Sequence, residues 1–392
     1  MKNGLTILFD KRDSDSVTIN ILVKVGSNNE PAKIMGVSHF LEHILFEGTK
    51  KRTAIELANE IEKVGGYMNA STGHEYTNYY VTVPCKYFDN ALDILADMII
   101  DSTFASKVIE KERQVILDEI SLSLDEPSSY QWLMFESTLF KKIKGRNPIA
   151  GTYKTVSLIT REEILDYFNK NYVPNNMIVS VSGNAINIFE KVDKAFGKLK
   201  TAKLDREKES EPRDEKPSIK KENRKMTTSY LIIGYKAPRV NDKDAYAMEV
   251  IRAILGKGQS SRLFNEIRTK RGLGYAVGAK YDSMVEYGSF AAFVTADKKN
   301  IPLCREILLN EYKLTGLTEK EVKEAKDYII GSILIRNELN SERADANAAL
   351  EMAKINLKSY LEAIKAVKFE EVKKTANKYF NGGYTEVLIE QR

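Results

Sequence analysis

The chain has 392 residues, which is enough for two domains that each bury their own core. Its composition, 43% hydrophobic and 29% charged, is that of a globular protein, and its net charge of +5 is the small difference between 60 basic and 55 acidic residues. This balance gives no support to a nucleic-acid or anionic-membrane partner. No run of 18 apolar residues occurs, so no membrane span is predicted.

Cysteine content and the N-terminal residues bear on the compartment. Cys85 and Cys304 are the two cysteines and form no CxxC pair, so neither a disulfide framework nor a cysteine zinc site is predicted. The first ten residues enter an apparent strand without the features of a targeting segment. We therefore expect a reducing, cytoplasmic compartment.

The first elements are two strands, at residues 5–9 and 17–25, and a buried helix within residues 35–46. The second strand alternates apolar and polar residues, which predicts one buried face. At about 100° per residue, His39, Glu42 and His43 share one face of the helix. Two imidazoles one turn apart can bind a single zinc ion, and a neighbouring carboxylate can accept a proton from the water that zinc activates. The spacing HxxEH is the inverted zincin motif. The alternative, core histidines satisfied by hydrogen bonds, is the weaker interpretation because the chain holds only three histidines.

A helix at 53–64 and two strands at 67–71 and 76–83 follow. The third histidine, His74, falls in the turn between these strands. We interpret it as a solvent-exposed turn residue rather than a ligand.

The third zinc ligand is expected on a helix at residues 106–124. Two histidines leave a zinc site incomplete, and no further suitable His or Cys exists, so a carboxylate is required. Glu112 and Glu119 lie two turns apart on one face of this helix. On spacing alone, Glu110 and Asp118 compete with them, and the choice stays open.

A charged segment at residues 203–225 predicts the domain boundary. Sixteen of its 23 residues are charged and two are proline, which is the composition of a linker. Before it come a helix at 129–140, a strand at 176–182 and a helix ending near residue 199. We therefore predict a zinc-binding domain at 1–202 and a second domain at 226–392.

The second domain repeats the first at an offset of 208 residues. Gly48 and Gly256 each end an apolar helix, and Tyr67 and Tyr275 each begin a strand after a glycine. The positions equivalent to the HxxEH residues carry side chains that cannot bind zinc: Ala247, Val250 and Ile251. Only the first domain is expected to be catalytic.

Five segments together resemble the pitrilysin and insulysin family of zinc peptidases, most of all the short branch that contains mitochondrial processing peptidase. They are GVSHFLEHILFEGT, NAST, EYTNYYVTV, ERQVILDEI and SSRLFNEIRTKRGLGYAV, and the resemblance covers essentially the whole chain. The resemblance implies that His39, His43 and Glu119 bind Zn²⁺. It also implies that Glu42 is the general base and Glu112 a supporting carboxylate.

For the substrate, the resemblance implies that Asn69 and Ala70 belong to a strand that pairs with peptide backbone. It further implies that Arg268 and Tyr275 contact the substrate carbonyl and the developing oxyanion. From the residues alone, Arg268 is better interpreted as an exposed helix charge and Tyr275 as a core strand residue.

The family resemblance implies an α+β fold of two similar halves, each a mostly antiparallel sheet backed by helices. Its implied function is that of a zinc metalloendopeptidase that cleaves oligopeptides or unfolded segments in a chamber formed by two chains, as a homodimer or a heterodimer with a paralogue. Because the stretch at 256–261 is short where the processing peptidase's regulatory subunit has a long glycine-rich loop, general peptide cleavage is favoured over presequence processing. The alternative is a non-catalytic assembly subunit of the same fold, which is disfavoured because every metal position and the base are present.

Overall fold

The computed structural model describes residues 1–204, 211–212 and 214–392, which form two compact units that interleave along the sequence. Unit 1 comprises Met1–Leu122, Asn147–Glu207 and Arg336–Asn356. Unit 2 comprises Ser123–Arg146, Lys208–Ile335 and Leu357–Arg392. Each unit therefore contains a segment from the other half of the sequence.

Unit 1 contains five strands backed by helices. Its strands are β1 (Thr6–Lys11), β2 (Ser16–Val23), β3 (Tyr67–Thr72), β4 (Thr77–Pro84) and β5 (Met177–Gly183). Its helices are α1 (Val37–Leu45), α2 (Ala54–Glu62), α3 (Phe88–Asp101), α4 (Ser106–Asp125), α6 (Tyr153–Val156), α7 (Arg161–Asn171), α8 (Ile188–Phe196) and α12 (Asn340–Met352). Helix α5 (Pro127–Leu139) follows α4 along the chain but belongs to unit 2.

The sheet of unit 1 has the strand order β1-β5-β2-β4-β3, with β1 and β5 parallel and the other neighbours antiparallel. The apolar side chains of β2 face the core that contains α1 and α3. The opposite face carries polar residues such as Thr18 and Asn20, which are also buried. The expectation that β2 buries one face is therefore wrong, because α12 covers the polar face: Asn340 donates from Nδ2 to the Ser16 carbonyl oxygen at 2.7 Å.

Unit 2 contains the matching set of elements. Its strands are β6 (Ser218–Arg224), β7 (Ser229–Lys236), β8 (Gly274–Ser283), β9 (Gly288–Ala296) and β10 (Thr385–Gln391). Its helices are α5, α9 (Ala245–Gly256), a π-helix (Phe264–Thr269), α10 (Ile301–Glu311), α11 (Glu319–Arg336), α13 (Leu357–Ala366) and α14 (Phe369–Tyr379). The strand order β6-β10-β7-β9-β8 reproduces that of unit 1, with β6 and β10 as the parallel pair. The predicted α+β fold of two similar halves is confirmed.

Part of the segment predicted as a linker is a strand. Residues 205–210 and 213 lie outside the described residues, but Ser218–Arg224 form β6, which pairs in parallel with β10. Because β6 is an edge strand, its charged side chains Lys220 and Lys221 stay exposed to water, and such a strand resembles a linker in composition.

The description of His74 as an exposed turn residue is also wrong. His74 is only 8% exposed, and its Nδ1 lies 2.8 Å from the Ser27 hydroxyl. Gly26 allows this packing, because a Cβ at that position would lie 2.3 Å from the Gly73 carbonyl oxygen.

None of the helices in the described residues is both long enough and apolar enough to cross a bilayer. Cys85 and Cys304 are free thiols, and burial raises the pKa of Cys304 to about 11.

Candidate metal centre

Helix α1 is fixed at its N-terminus by a buried carboxylate. Glu30 accepts hydrogen bonds from the Gly36 backbone N–H at 2.6 Å and from the Ser38 N–H at 2.8 Å. These donors have no partner within the helix, and a negative charge at this end is favourable. Gly36 adopts φ +97°, where a Cβ would lie 2.6 Å from the Ala150 carbonyl oxygen. The start and direction of α1 are thereby set before any metal binds.

His39, His43 and Glu119 converge at one point. His39 Nε2 lies 3.7 Å from Glu119 Oε2, and His43 Nε2 lies 3.5 Å from the same oxygen. One ligand atom from each residue falls within 4.8 Å of the others. Tetrahedral zinc with bonds of about 2.0–2.2 Å separates its ligand atoms by about 3.4 Å. The three donors therefore fit a zinc ion and leave a fourth position open.

The surroundings of the two imidazoles prepare them differently for a metal ion. Burial, and then the neighbouring His43, lowers the pKa of His39 to about 4, so His39 is neutral near pH 7. His43 Nδ1 lies 3.1 Å from Glu112 Oε2, which orients the ring so that Nε2 faces Glu119. In the described residues, Nδ1 of His39 is buried and has no such partner.

The structure separates the four carboxylates of α4 that spacing left in competition. Glu119 faces both Nε2 atoms, whereas Glu112 is buried against the opposite ring nitrogen of His43. Glu110 pairs with Arg113 at 2.9 Å. Asp118 accepts a hydrogen bond from Gln114 at 2.9 Å. Glu119 is therefore the carboxylate of this helix that completes the metal triangle, which consists of His39, His43 and Glu119.

Glu42 lies beside the triangle, and the sequence did not reveal the residue that holds it there. Thr72, at the end of β3, donates from Oγ1 to Glu42 Oε2 at 2.5 Å. Burial raises the pKa of Glu42 although this hydrogen bond opposes the rise. A signal for Thr72 was present: it lies two residues after Ala70, so a strand turns both side chains to the same face.

Removing the Thr72 hydroxyl tests this contact. Thr72→Val keeps the shape of the side chain, and we expect kcat to fall about tenfold, because a hydrogen bond to a charged group contributes about 1.5–3 kcal/mol. Zinc content should be unchanged, since Thr72 touches no ligand atom. Thr72→Ser retains the hydroxyl and should retain most of the activity. If the Val and Ser variants turn over peptide equally well, the hydroxyl does not position Glu42.

Asn69 and Ala70 lie on β3, the edge strand of the sheet of unit 1. Asn69 is exposed, whereas Ala70 is buried on the face that packs toward α1. One edge of β3 pairs with β4, and in the described sheet the other edge has no partner strand. Such an edge can accept an added strand.

Arg268 and Tyr275 lie in unit 2 and contact each other. Arg268 Nη1 donates to the Tyr275 carbonyl oxygen at 3.3 Å, and the guanidinium lies 5.5 Å from the Tyr275 ring centroid. The Tyr275 residue is 80% exposed and lies where the β8–β9 register shifts, between Gly274 and Val277. Its interpretation as a core strand residue is therefore wrong, whereas Arg268 is exposed as the helix-charge interpretation requires.

Comparison with the sequences of known proteins assigns the chain to a family. Residues 6–153 match the family described as insulinase (peptidase family M16), and residues 158–329 match the peptidase M16 inactive domain. The chain belongs to peptidase family M16. A relative from Rickettsia felis, described as an uncharacterized zinc protease, is 36% identical over 99% of this chain and 96% of its own length. A relative from Bacillus subtilis with the same description is 30% identical over the same shares.

Two known structures share the M16 fold. A protease from Helicobacter pylori matches 99% of this chain and 97% of its own, with a TM-score of 0.93 and 24% identity. A peptidase M16 inactive domain from Pseudomonas fluorescens matches 100% and 97%, with a TM-score of 0.88 and 20% identity. The match of residues 158–329 to the M16 inactive domain agrees with the sequence of α9. Three buried apolar residues of this helix stand at the positions of the HxxEH side chains: Ala247, Val250 and Ile251.

Proposed function

We propose that the protein is a zinc metalloendopeptidase that cleaves oligopeptides or unfolded polypeptide segments. The observation that carries the proposal is the convergence of His39, His43 and Glu119, with Glu42 held beside them. A structural zinc site is usually closed by four protein ligands, whereas catalytic sites have three and an open position. The descriptions of the relatives as zinc proteases support the same reaction.

Each residue of the centre has a separate task in this proposal. Zinc bound by the triangle would lower the pKa of water and polarise the peptide carbonyl. Glu42 accepts the proton from the attacking water at Oε1, since Oε2 is engaged by Thr72, and then delivers it to the leaving amide nitrogen. Glu112 holds the His43 ring in place.

The substrate lies along β3 in an extended conformation. Its backbone pairs with the free edge near Asn69 and Ala70, so main-chain hydrogen bonds supply affinity for many sequences. A folded domain cannot offer an extended segment without unfolding, which favours short or unstructured substrates. Arg268 and Tyr275 supply one fixed cation and one phenol for the carbonyl oxygen as negative charge develops on it.

A non-catalytic assembly subunit is the second candidate. It needs neither a general base nor a hydroxyl that orients one. The contact between Thr72 and Glu42 therefore favours an enzyme.

Metal analysis combined with a peptide assay tests the proposal. We expect about one zinc per chain and hydrolysis of an unstructured peptide, because the two-His, one-Glu set leaves a position for water. Chelator should abolish hydrolysis, and added zinc should restore it. A chain that contains no zinc and is fully active in chelator would overturn the proposed function.

We also propose that the active form contains two chains, in a reducing cytoplasmic compartment. The support is the family resemblance together with the exposed Arg268 and Tyr275 in unit 2. In this arrangement the zinc centre of one chain acts with Arg268 and Tyr275 of its partner. The free thiols Cys85 and Cys304 agree with the compartment.

Complementation between two inactive chains tests the pairing. Glu42→Gln and Tyr275→Phe chains should each be weakly active, and mixing them should restore activity in mixed dimers, where one site has both an intact zinc centre and an intact Tyr275. Subunit exchange is verified with differently tagged chains. Exchange without rescue means that the pair acts within its own chain or not at all.

A further inference from the structure

A cavity of about 210 Å³ opens beside β3, on the side of the sheet that α12 covers. Sites for whole small molecules usually measure about 300–1,000 Å³, so this one is sized for a single side chain. Its lining comes from β3, β4, the turn between them and α12: Tyr67, Ser71, Tyr76, Asn78, Tyr80, Ser341, Glu342 and Asp345. All of these residues belong to unit 1.

The cavity wall contains a carboxylate that is held in place by neutral groups. Asp345 Oδ1 accepts hydrogen bonds from Asn78 Nδ2 at 2.9 Å and from the buried Asn20 Nδ2 at 3.2 Å. Asn78 is oriented in turn by Ser71, which donates to its Oδ1 at 2.5 Å. These contacts fix the position of the Asp345 carboxylate but supply no opposite charge.

Asp345 therefore differs from the other acid of the cavity. Glu342 pairs with Arg336 at 2.9 Å, whereas within the described chain no basic group lies within ion-pair distance of Asp345, and Arg336 acts on its carboxylate only from farther away. Placing an unpaired charge in a half-buried position costs free energy, and here burial raises the pKa of the carboxyl group. A cation entering the cavity would offset this cost.

Three tyrosines make the cavity suitable for a cation that carries an apolar stem. Tyr67 and Tyr80 contact each other with ring centroids 6.0 Å apart, and Tyr76 lies between β3 and β4. Aromatic faces attract guanidinium and ammonium groups and also pack against methylene chains. Burial and then Asp345 raise the pKa of Tyr76 to about 12, so its ring stays neutral.

The position of β3 connects the cavity to the proposed substrate path. Tyr67 and Ser71 line the cavity, whereas Ala70 and Thr72 turn toward α1. A peptide paired with the free edge of β3 alternates in the same way, so every second side chain lies on the cavity side. We propose that this cavity is a specificity pocket that receives an arginine or lysine side chain of the bound peptide. This proposal rests on the proposed function.

Peptide binding to the Glu42→Gln chain tests the pocket without turnover. One arginine is moved along an unstructured peptide of otherwise neutral residues, and each peptide is matched by one with citrulline, which has the same shape without the charge. We expect one position where arginine binds at least about tenfold more tightly than citrulline, and no preference at the two adjacent positions, because their side chains face the other side of the sheet. Equal binding at every position would overturn the pocket.

Substitutions in α12 test whether the preference for arginine over citrulline arises in the cavity. In the Glu42→Gln background, Asp345→Asn should reduce the arginine-to-citrulline ratio to about one. Ser341→Arg, which places a tethered guanidinium in the cavity, should have the same effect and does not depend on how Asp345→Asn folds. The control is Glu351→Gln, which removes a carboxylate from the same helix outside the cavity, where it pairs with Lys354. A ratio unchanged in both cavity variants would contradict the proposal.

The pocket and the peptidase activity are separable in this design. If the native chain cleaves arginine and citrulline peptides equally in a zinc-dependent reaction, and binding shows no preference, the pocket is wrong and the proposed function stands. If neither peptide is cleaved, the proposed function fails, while the binding ratio still decides whether the cavity takes a basic side chain.

Discussion

Glu42→Gln is expected to lower kcat by at least about a hundredfold while zinc stays bound. General-base catalysis contributes about 10²–10⁴-fold, and an amide at this position cannot accept the proton. Gln retains a carbonyl oxygen that can accept the hydrogen bond from Thr72 Oγ1, so the shape of the centre is preserved. Because Glu42 lies beside the metal triangle and is not part of it, metal content should not change.

The measurement pairs kcat on an unstructured peptide with zinc per chain by elemental analysis. The matched control is Glu47→Gln, which removes a carboxylate just after α1 that pairs with Lys111 on the surface. This control should be nearly as active as the native chain. Loss of zinc together with activity in Glu42→Gln would make Glu42 a ligand, and unchanged turnover would remove it from the mechanism.

Glu119→Gln and Glu112→Gln are expected to separate metal binding from its support. Glu119 faces the Nε2 atoms of both histidines, so replacing its carboxylate with a neutral amide should lower zinc affinity by more than about a hundredfold. Of the two histidines, Glu112 contacts only His43, at Nδ1, and changes to such a supporting residue cost about 10–100-fold in affinity or activity. Glu112→Gln should therefore retain more zinc and lose mainly turnover.

Zinc dissociation constants from competition with a chromogenic chelator provide the measurement. Glu110→Gln is the control on the same helix, since Glu110 pairs with Arg113 and not with the histidines. It should bind zinc as the native chain does. Equal zinc occupancy in the Glu112 and Glu119 variants would contradict the assignment.

Local periodicity predicted most helices and strands of the first half of this protein. The helix that carries His39, Glu42 and His43, and the strands around it, follow from side-chain spacing within a few consecutive residues. Their observed bounds lie within about two residues of the predicted ones. The offset of 208 residues likewise anticipated two sheets of the same strand order, because a repeat preserves the order of its elements.

Side-chain spacing left open which acid of α4 completes the metal triangle, and the tertiary structure brings forward Glu119, the residue that the family resemblance implies. A 20-residue helix presents carboxylates on several faces. The spacing of these residues shows which of them share a face, but it does not determine which face packs against α1. Packing of α4 against α1 selects Glu119 for the Nε2 atoms and Glu112 for Nδ1. The contact of Thr72 with Glu42 also depends on tertiary packing, since it joins a strand to a helix residue 30 positions away, and the strand pattern indicated only the face on which Thr72 lies.

The burial of the polar face of β2 by α12 depends most clearly on residues that are distant in the sequence. The alternating polar residues of β2 predicted a solvent-exposed face, yet Thr18 and Asn20 are buried beneath a helix that begins at Asn340. Nothing local to β2 encodes this contact, because its partner groups lie more than 300 residues away along the chain. Polar alternation states which side chains share a face, and only the folded chain determines whether water or another helix meets that face.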